Sequence, residues 1–577
     1  MRILGISSLD TDATAALYDD GALTAIAEER LSRVKMHVGF PGRAIERLLK
    51  DAGISGSDID LVVYPFMPWH VEGRRILGGF LSDLQFTLTN GCSWPEKYRH
   101  LKAYHQWQST AIRSHRKFQH ELNEKLADLG ITCPLKRVEH HPAHAWSAYL
   151  GSGFPEALAI TIDWYGGGLS GAVSHCSDDG LRVLQAFQYP HSLGLFYAQV
   201  TSALGFKPAR HEGKILGLAA YGDPEKVYPA LRKRLSAANG DFRYHCGMDP
   251  QLAKDLAKEH SREDVAAAYQ HALEETAVQI ATYWMKKTGL RHIVLAGGVA
   301  ANVKMNQRIG EIETVDGVFI HPNMGDGGTA VGAIFSEVSR KDHHFREAWR
   351  TCYLGPKFSD DQIKQAITNA GLSPVFPEDN AAAIAKLLAA GKIIARFDGA
   401  MEYGPRALGN RSILYRASDP DVNNWLNKKL GRTEFMPFAP ITMAEHCGAR
   451  YKNIAKFLLP ARFMTITVHC TDLMQEESPA AVHIDGTARP QILRQEDNPN
   501  LHEILAAYHK LTGIPTLINT SFNMHEEPIV CTPEDAVRAF LSAKLDYLSI
   551  GPYLVEMPAE NQSAAISDEP TKIDIAK

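Results

Sequence analysis

The segment RVEHHPAHAWSAYL, residues 137–150, holds the side chains best suited to chemistry. His140 and His144 are four residues apart, and Pro142 suits a first helical turn, so a helix starting here turns both imidazoles to one face. His141 points elsewhere. Two carboxylates sit at comparable strand ends. Asp163 follows the apolar run LAITI, and Asp326 follows VFIHPN inside a Gly-rich turn. Strand ends beside such turns are where open α/β sheets present ligands. Two imidazoles and two carboxylates suit Fe2+, Zn2+ or Mn2+, and residue type alone does not choose among them. The plainer reading is surface histidines on a helix and aspartates capping turns.

A second set of residues suits anions. AGGVAANVKMN, with Gly297, Gly298 and Asn302, is a strand–turn–helix unit that lets an anion or a sugar hydroxyl approach the backbone. Gly325 opens another helix in GDGG, and HEGKILGLAAYG sets Lys214 between Gly213 and Gly217. Later, EYGPRALGNRS brings Arg406 and Arg411 around a Gly-Pro turn, and forked guanidinium groups grip phosphate or carboxylate. LNKKLGRTEFMPFAP adds Lys428, Lys429 and Arg432, DGTARPQ adds Arg489, and INTSFNMHEEPI adds Ser521 and Asn523. Taken singly, each loop could be an ordinary turn; together they imply a phosphate-bearing ligand.

The segments that must position these groups read as α/β. Arg2–Ile6, Ala13–Tyr18 and Ala22–Ala27 form strands, with Asp19-Asp20-Gly21 as a turn. The pattern recurs as Ala157–Asp163, Ala172–His175 and Leu181–Ala186, turning at Asp178-Asp179-Gly180. Two such units are what a duplicated actin/hexokinase-like (ASKHA) phosphate-gripping fold requires. Between them, 65–128 is polar and aromatic, with Trp69, Trp94, Tyr104, Trp107 and a helical stretch over Tyr98–Leu126, and reads as an insertion whose aromatic walls suit a pocket for a large flat or glycosidic ligand. A domain over 1–350 ends near 345–358, a second α/β domain covers 356–558, and the polar tail 559–577 is expected to be disordered.

With 577 residues, the chain needs about three to four globular units at roughly 100–200 residues each. A net charge of −5 supplies no global basic field for nucleic acid. No leader peptide and no spanning run of about 18 apolar residues is found, so neither membrane nor export is expected. The eight cysteines form no CxxC pair, which speaks against a disulfide framework and a cysteine zinc site and for a cytoplasmic location.

The ordered set HHPAHAWSAY, the strand ending in Asp163, HEGKILGLAAYG, AGGVAANVKMN, GPRALGNRS, FMPFAP, DGTARPQ and NTSFNMHEEPIV resembles the bacterial O-carbamoyltransferase family of nodulation-factor and antibiotic-tailoring enzymes. The match runs from Arg2 to about Val555. The resemblance implies a C-terminal domain like threonylcarbamoyl-adenylate synthase (YrdC-like), making carbamoyl-adenylate from carbamoyl phosphate and ATP with Mg2+. It also implies an actin-like N-terminal domain that passes the carbamoyl group to a hydroxylated small-molecule acceptor. His140, His144, Asp163 and Asp326 would hold the metal, Fe2+ on the family's pattern. Arg489, Ser521 and Asn523 would serve the C-terminal site. A homodimer is compatible with this picture.

Two departures matter. The family's His before Asp in the first hairpin is here Thr11, before Asp12, and threonine is no base near neutral pH. Asp12, His37 or His70 must serve, or the acceptor is a more acidic hydroxyl. A Lys-x-Arg pair before Glu is replaced by Gly431 and Thr433, leaving Lys429 and Arg432. The rivals are a threonylcarbamoyladenosine-type tRNA enzyme, against which the net negative charge speaks, and a non-enzymatic actin-like ATP-binding scaffold. A metalloprotease would need HExxH, and HHPAH lacks the Glu.

Overall fold

The computed structural model describes residues 1–9, 12–342, 345, 351–431 and 435–559. Its first half is a repeated sheet. Strands β1 (Arg2–Ser7), β2 (Thr14–Asp19) and β3 (Ala22–Ala27) form an antiparallel meander, and β4 (Leu61–Tyr64) and β5 (Leu135–Arg137) join β1 in parallel, giving the order β3-β2-β1-β4-β5. The second copy uses β6 (Ala157–Gly166), β7 (Leu169–Ser177) and β8 (Gly180–Gln188), with a small hairpin of β9 (Leu235–Ala238) and β10 (Asp241–Tyr244) beside it. With β11 (His292–Ala296) and β12 (Gly317–Ile320) its order is β12-β11-β6-β7-β8, again a meander plus two parallel strands. The tight turns that separate the meander strands occur at Asp20-Gly21 and Asp179-Gly180, where both glycines have positive φ (99° and 114°).

Two helices join the copies. Helix His140–Ser152 and helix Thr329–Lys341 pack against each other between the sheets. Their contact leaves no room for a methyl group: a Cβ on Gly332 would stand 1.8 Å from the Ala143 carbonyl oxygen, and one on Gly5 of β1 would stand 2.3 Å from that of Ala330. The first copy is thereby fixed to the helix that follows Asp326.

The segment read as an insertion is an antiparallel pair of long helices, Trp69–Thr89 and Trp94–Asp128. Ser93 starts the second with a capping box to Glu96 and Pro95 in its first turn, which accounts for the sharp reversal. Both helices bury polar residues, including Glu72, Asp83, His100 and His115.

The C-terminal part is a mixed seven-stranded sheet. Its strands are β13 (Ile394–Phe397), β14 (Arg411–Arg416), β15 (Ala439–Met443), β18 (Gln491–Leu493), β19 (Thr516–Ser521), β20 (Tyr547–Ile550) and β21 (Tyr553–Glu556), in the order β18-β15-β19-β14-β13-β20-β21. The short strands β16 (Val468–His469) and β17 (Thr487–Ala488) pair beside it. This sheet is docked closely on the first half. Arg33 donates to the carbonyls of Pro528 and Ile529 (2.7 and 2.8 Å), Arg30 to that of Gly404 (2.9 Å), and Asn306 to that of Thr465 (2.8 Å). Among the described residues, no helix is long and apolar enough to cross a membrane.

Candidate metal centre and anion site

Helix His140–Ser152 begins at His140, as Pro142 leads one to expect, and sets the Nε2 atoms of His140 and His144 3.1 Å apart. Asp163 Oδ2 lies 3.2 Å from His144 Nε2 and 3.7 Å from His140 Nε2; Asp326 Oδ1 lies 3.4 and 3.5 Å from them. The four donor atoms all fall within 4.8 Å of one another. Donors held at about 2.1 Å from one tetrahedral ion stand about 3.4 Å apart, so the spacing is that of a ligand set. His141 turns away and meets the Thr161 hydroxyl at 3.3 Å.

Each donor is placed by backbone. Asp163 Oδ1 accepts from its neighbour's amide, Trp164 N, at 2.7 Å, which leaves the buried Oδ2 facing the imidazoles. The Asp326 carbonyl accepts from Ser7 Oγ at 2.7 Å, so a residue of the first sheet holds a ligand of the second. A Cβ on Gly166 would come within 2.1 Å of His140 Cδ2, so only glycine lets β6 pass that ring. Burial pushes the Asp163 carboxyl up, but hydrogen bonds and charge from His140 and His144 hold it far below the carboxylate range. Three of the four donors are buried and all four converge, so the residues fit a divalent ion.

The glycine loops crowd this tetrad. A Cβ on Gly298 would sit 3.1 Å from Asp163 Oδ1, and Gly297 (φ 94°) presses on the Ile162 backbone. A Cβ on Gly325 would be 3.2 Å from Asp12 Oδ2, so Asp12 lies against the turn that carries Asp326. Burial first, then the charge of Glu29, pushes the Asp12 carboxyl up to about 7. Asn302 is engaged otherwise: it caps helix Val303–Gly310 through Met305 N and pairs with Gln270. Lys214 is buried, its ammonium over the Phe206 ring, in a helix whose Gly217 packs on Phe435 and Met436 of the second half. His37 meets the Ser32 hydroxyl at 3.0 Å, and His70 is exposed at the start of the helical hairpin. Thr11 lies outside the described residues.

The C-terminal loops converge on one knot. Buried Glu402 accepts from the amides of Leu408, Asn410 and Arg411 (2.8, 2.8 and 3.1 Å) and shapes the Gly409 turn. Asn519 of β19 donates to Ala407 O and to Gln491 Oε1, and Gln491 donates to Leu408 O. Arg406, Arg489 and Ser521 stand one or two positions from these residues. Asn523 closes the next loop by donating to the carbonyls of Met524 and Glu527. Arg411 differs from expectation: it is wholly buried over the Phe397 ring (3.7 Å) and its two Nη atoms bond to the carbonyls of Asp398, Asn410, Pro356 and Gly399. It fastens loops rather than facing an anion. Lys429 is half-buried, which lowers its ammonium pKa. Arg432 lies outside the described residues.

One group of side chains escaped the sequence reading. Glu72 Oε2 lies 2.6 Å from His115 Nδ1, and His115 Nε2 is 3.1 Å from the Tyr165 hydroxyl. Phe66 stands between this group and the tetrad, its ring 5.7 Å from that of His115 and 4.9 Å from that of His140. Tyr165 is two residues beyond Asp163 on β6. Of the aromatic residues assigned to an acceptor pocket, Tyr104 is instead buried with its hydroxyl on the Tyr189 carbonyl, Trp94 is 71% exposed, and Trp107 packs on Tyr165 and Tyr189.

A duplicated mixed α/β sheet with a buried two-histidine, two-aspartate set, joined to a second α/β sheet with a glycine-shaped basic knot, defines a two-part enzyme. Residues 2–335 match the family model described as carbamoyltransferase N-terminus and residues 385–557 the one described as carbamoyltransferase C-terminus. The chain belongs to the carbamoyltransferase family and is a carbamoyl-transferring enzyme. It is similar to an uncharacterized protein of Synechocystis sp. (31% identical, 97% of each chain covered) and to nodulation protein NolNO of Sinorhizobium fredii (30%; 94% of this chain, 79% of that one). It is also similar to nodulation protein NolO of Bradyrhizobium diazoefficiens (34%; 74% and 80%).

Proposed function

We propose that the chain is an ATP-dependent O-carbamoyltransferase in which the two halves divide the work. The C-terminal half, read as YrdC-like, forms carbamoyl-adenylate from carbamoyl phosphate and ATP. The N-terminal half, read as actin-like, passes the carbamoyl group to a hydroxyl of a small molecule. The single observation that carries this reading is the convergence of His140, His144, Asp163 and Asp326 within 4.8 Å, beside the Gly297-Gly298 and Gly325 loops. These residues would hold a divalent ion, which supplies a Lewis acid for a carbamoyl carbonyl or phosphate oxygen.

The chain's own residues account for the rest. Gly298 and Gly325 give an anionic ligand access to backbone next to the tetrad. Arg406, Arg489 and Ser521 border the C-terminal knot, where guanidinium forks suit phosphate. The close docking of the halves at Tyr403, Gly404 and Arg33 supports transfer without release, which matters because a carbamate-type intermediate is readily hydrolysed. On the acceptor side the reading uses Tyr165. Glu72 Oε2 lies 2.6 Å from His115 Nδ1, and His115 Nε2 lies 3.1 Å from the Tyr165 hydroxyl, a group that can hydrogen-bond a substrate O–H. This gives the hydroxyl a positioning partner where Thr11 cannot act as base.

The test is a crossed pair of variants. His144→Ala should abolish transfer while ATP- and carbamoyl-phosphate-dependent adenylate formation continues. Arg489→Ala should stop adenylate formation yet leave use of supplied carbamoyl-adenylate. Loss of both activities in both variants, with folding intact, would refute the division.

A further inference from the structure

The turn between the two long helices carries Cys92, and the turn after β10 carries Cys246, far apart in sequence and in contact in space. Shared neighbours bring the two sulfurs together. The surroundings join the two turns. Asn90, two residues before Cys92, directs its amide at Cys246 Sγ (4.0 Å) and accepts from Cys92 N (3.0 Å). Arg234 places Nη1 3.2 Å from Cys92 Sγ and also reaches the carbonyl of His245, next to Cys246, while Nη2 pairs with Glu96. Cys92 is half-buried and Cys246 is buried. The other six cysteines are single residues on other elements.

We propose that Cys92 and Cys246 are a redox modification site: a reversible disulfide formed by a low-molecular-weight disulfide such as oxidised glutathione, with Cys92 attacking and Cys246 resolving. The division of roles follows from their surroundings. Thiolate, not thiol, attacks, and a cationic neighbour favours it. Interaction with the Cys246 thiol first, and then the Arg234 guanidinium, outweigh burial and bring the Cys92 thiol down to about 7, and it retains access to solvent. The Cys246 thiol is held protonated, first by its interaction with the Cys92 thiol and then by burial. The first of these is released once Cys92 is capped. In the first step the Cys92 thiolate displaces one glutathione thiolate and forms a mixed disulfide. In the second, Cys246 loses its proton to solvent, its sulfur attacks Cys92 Sγ, and the second glutathione thiolate leaves. Two protein thiols are oxidised as one glutathione disulfide is reduced to two glutathiones.

The bond would close on the end of the hairpin that is already fastened to the same turn. His100 Nδ1 accepts from Met248 N (2.9 Å), and Arg99 forms a two-point pair with Asp249 (3.0 and 2.9 Å). The opposite stretch of the hairpin carries Glu72 and His115. Oxidation therefore fixes the pair of helices that supplies the acceptor-side group.

The experiment uses the full chain, reduced, freed of reductant and exposed to oxidised glutathione, followed by denaturing thiol titration and a non-reducing peptide map. The expected result is loss of two of the eight thiols, a linked peptide pair containing Cys92 and Cys246, no retained glutathione, and full reversal by dithiothreitol. Cys246→Ser should retain glutathione on Cys92, and Cys92→Ser should keep its remaining pair thiol, Cys246, reduced. A wild-type map in which Cys92 stays reduced, or stays glutathionylated without passing to Cys246, overturns the proposal whether or not the variants fold.

Discussion

The Tyr403 hydroxyl donates to the Gly327 carbonyl at 2.6 Å, so a loop of the C-terminal half is bonded to the residue following Asp326 of the tetrad. Glycine is required one position further along the same loop: Gly404 has φ 124°, and a Cβ there would come within 2.8 Å of the Pro322 carbonyl oxygen. Tyr403→Phe should cost about 1 kcal/mol of stability. It should slow overall transfer from carbamoyl phosphate more than it slows transfer from supplied carbamoyl-adenylate. Equal slowing of both would show that the bond does not link the two halves' chemistry.

Gly166→Ala should cripple the metal centre without touching a ligand. The added methyl would meet His140 Cδ2 at 2.1 Å and force the imidazole away from its three partners. Overpacking of this kind typically costs about 1–3 kcal/mol. The expected outcome is a metal titration shifted to at least tenfold weaker binding, with adenylate formation unchanged.

Tyr165→Phe should raise the KM for the hydroxylated acceptor about tenfold, the worth of a hydrogen bond near 1.4 kcal/mol. The KM for carbamoyl phosphate should not move. His115→Gln, which loses the contact to Glu72, should reproduce the acceptor effect. A change confined to kcat in both variants would argue for a structural role alone.

Glu526 joins the halves by pairing with Arg210 and His211 at 3.2 and 3.1 Å. Burial raises its pKa, but the hydrogen bond from His211, the charge of Lys35 and the bond from Arg210 outweigh it and bring the carboxyl down to about 2 from an ordinary 4.5. A depressed folded-state value means the contribution is present in full above 4.5 and fades as pH falls toward 2. Glu526→Gln should therefore lower Tm near neutral pH, and its gap from the wild type should narrow steadily below pH 4.5. A gap that widens on acidification would be the wrong sign.

Residue types that can do only a few things were legible in the sequence. A His-x-x-x-His pair after a helix-starting position and two aspartates at strand ends have few joint uses, and the four side chains do meet. The Asp-Gly turns likewise marked both meanders. Arginine was harder to read. Arg406 and Arg411 share one glycine-shaped loop, yet Arg411 faces inward to carbonyls, because burial is decided by strands that pair far away in sequence. Glu72, His115 and Tyr165 were not legible as a group at all. They come from two helices and a strand, and no local periodicity relates positions 43 and 50 residues apart. Tyr104 misled for a related reason: an aromatic residue in a polar helix reads as a pocket wall until the facing helix is known to cover it.

Helix His140–Ser152 and helix Thr329–Lys341 touch backbone to backbone at Ala143 and Gly332; the first carries His140 and His144, and the second follows Asp326. A joint so tight leaves little room to pivot. In the proposed metal centre it would hold the donors in one arrangement, so selection among ions would fall to size and preferred geometry. The long helical hairpin is anchored as well, because Phe118, Leu122 and Leu126 of its second helix are buried in the apolar core of the first sheet.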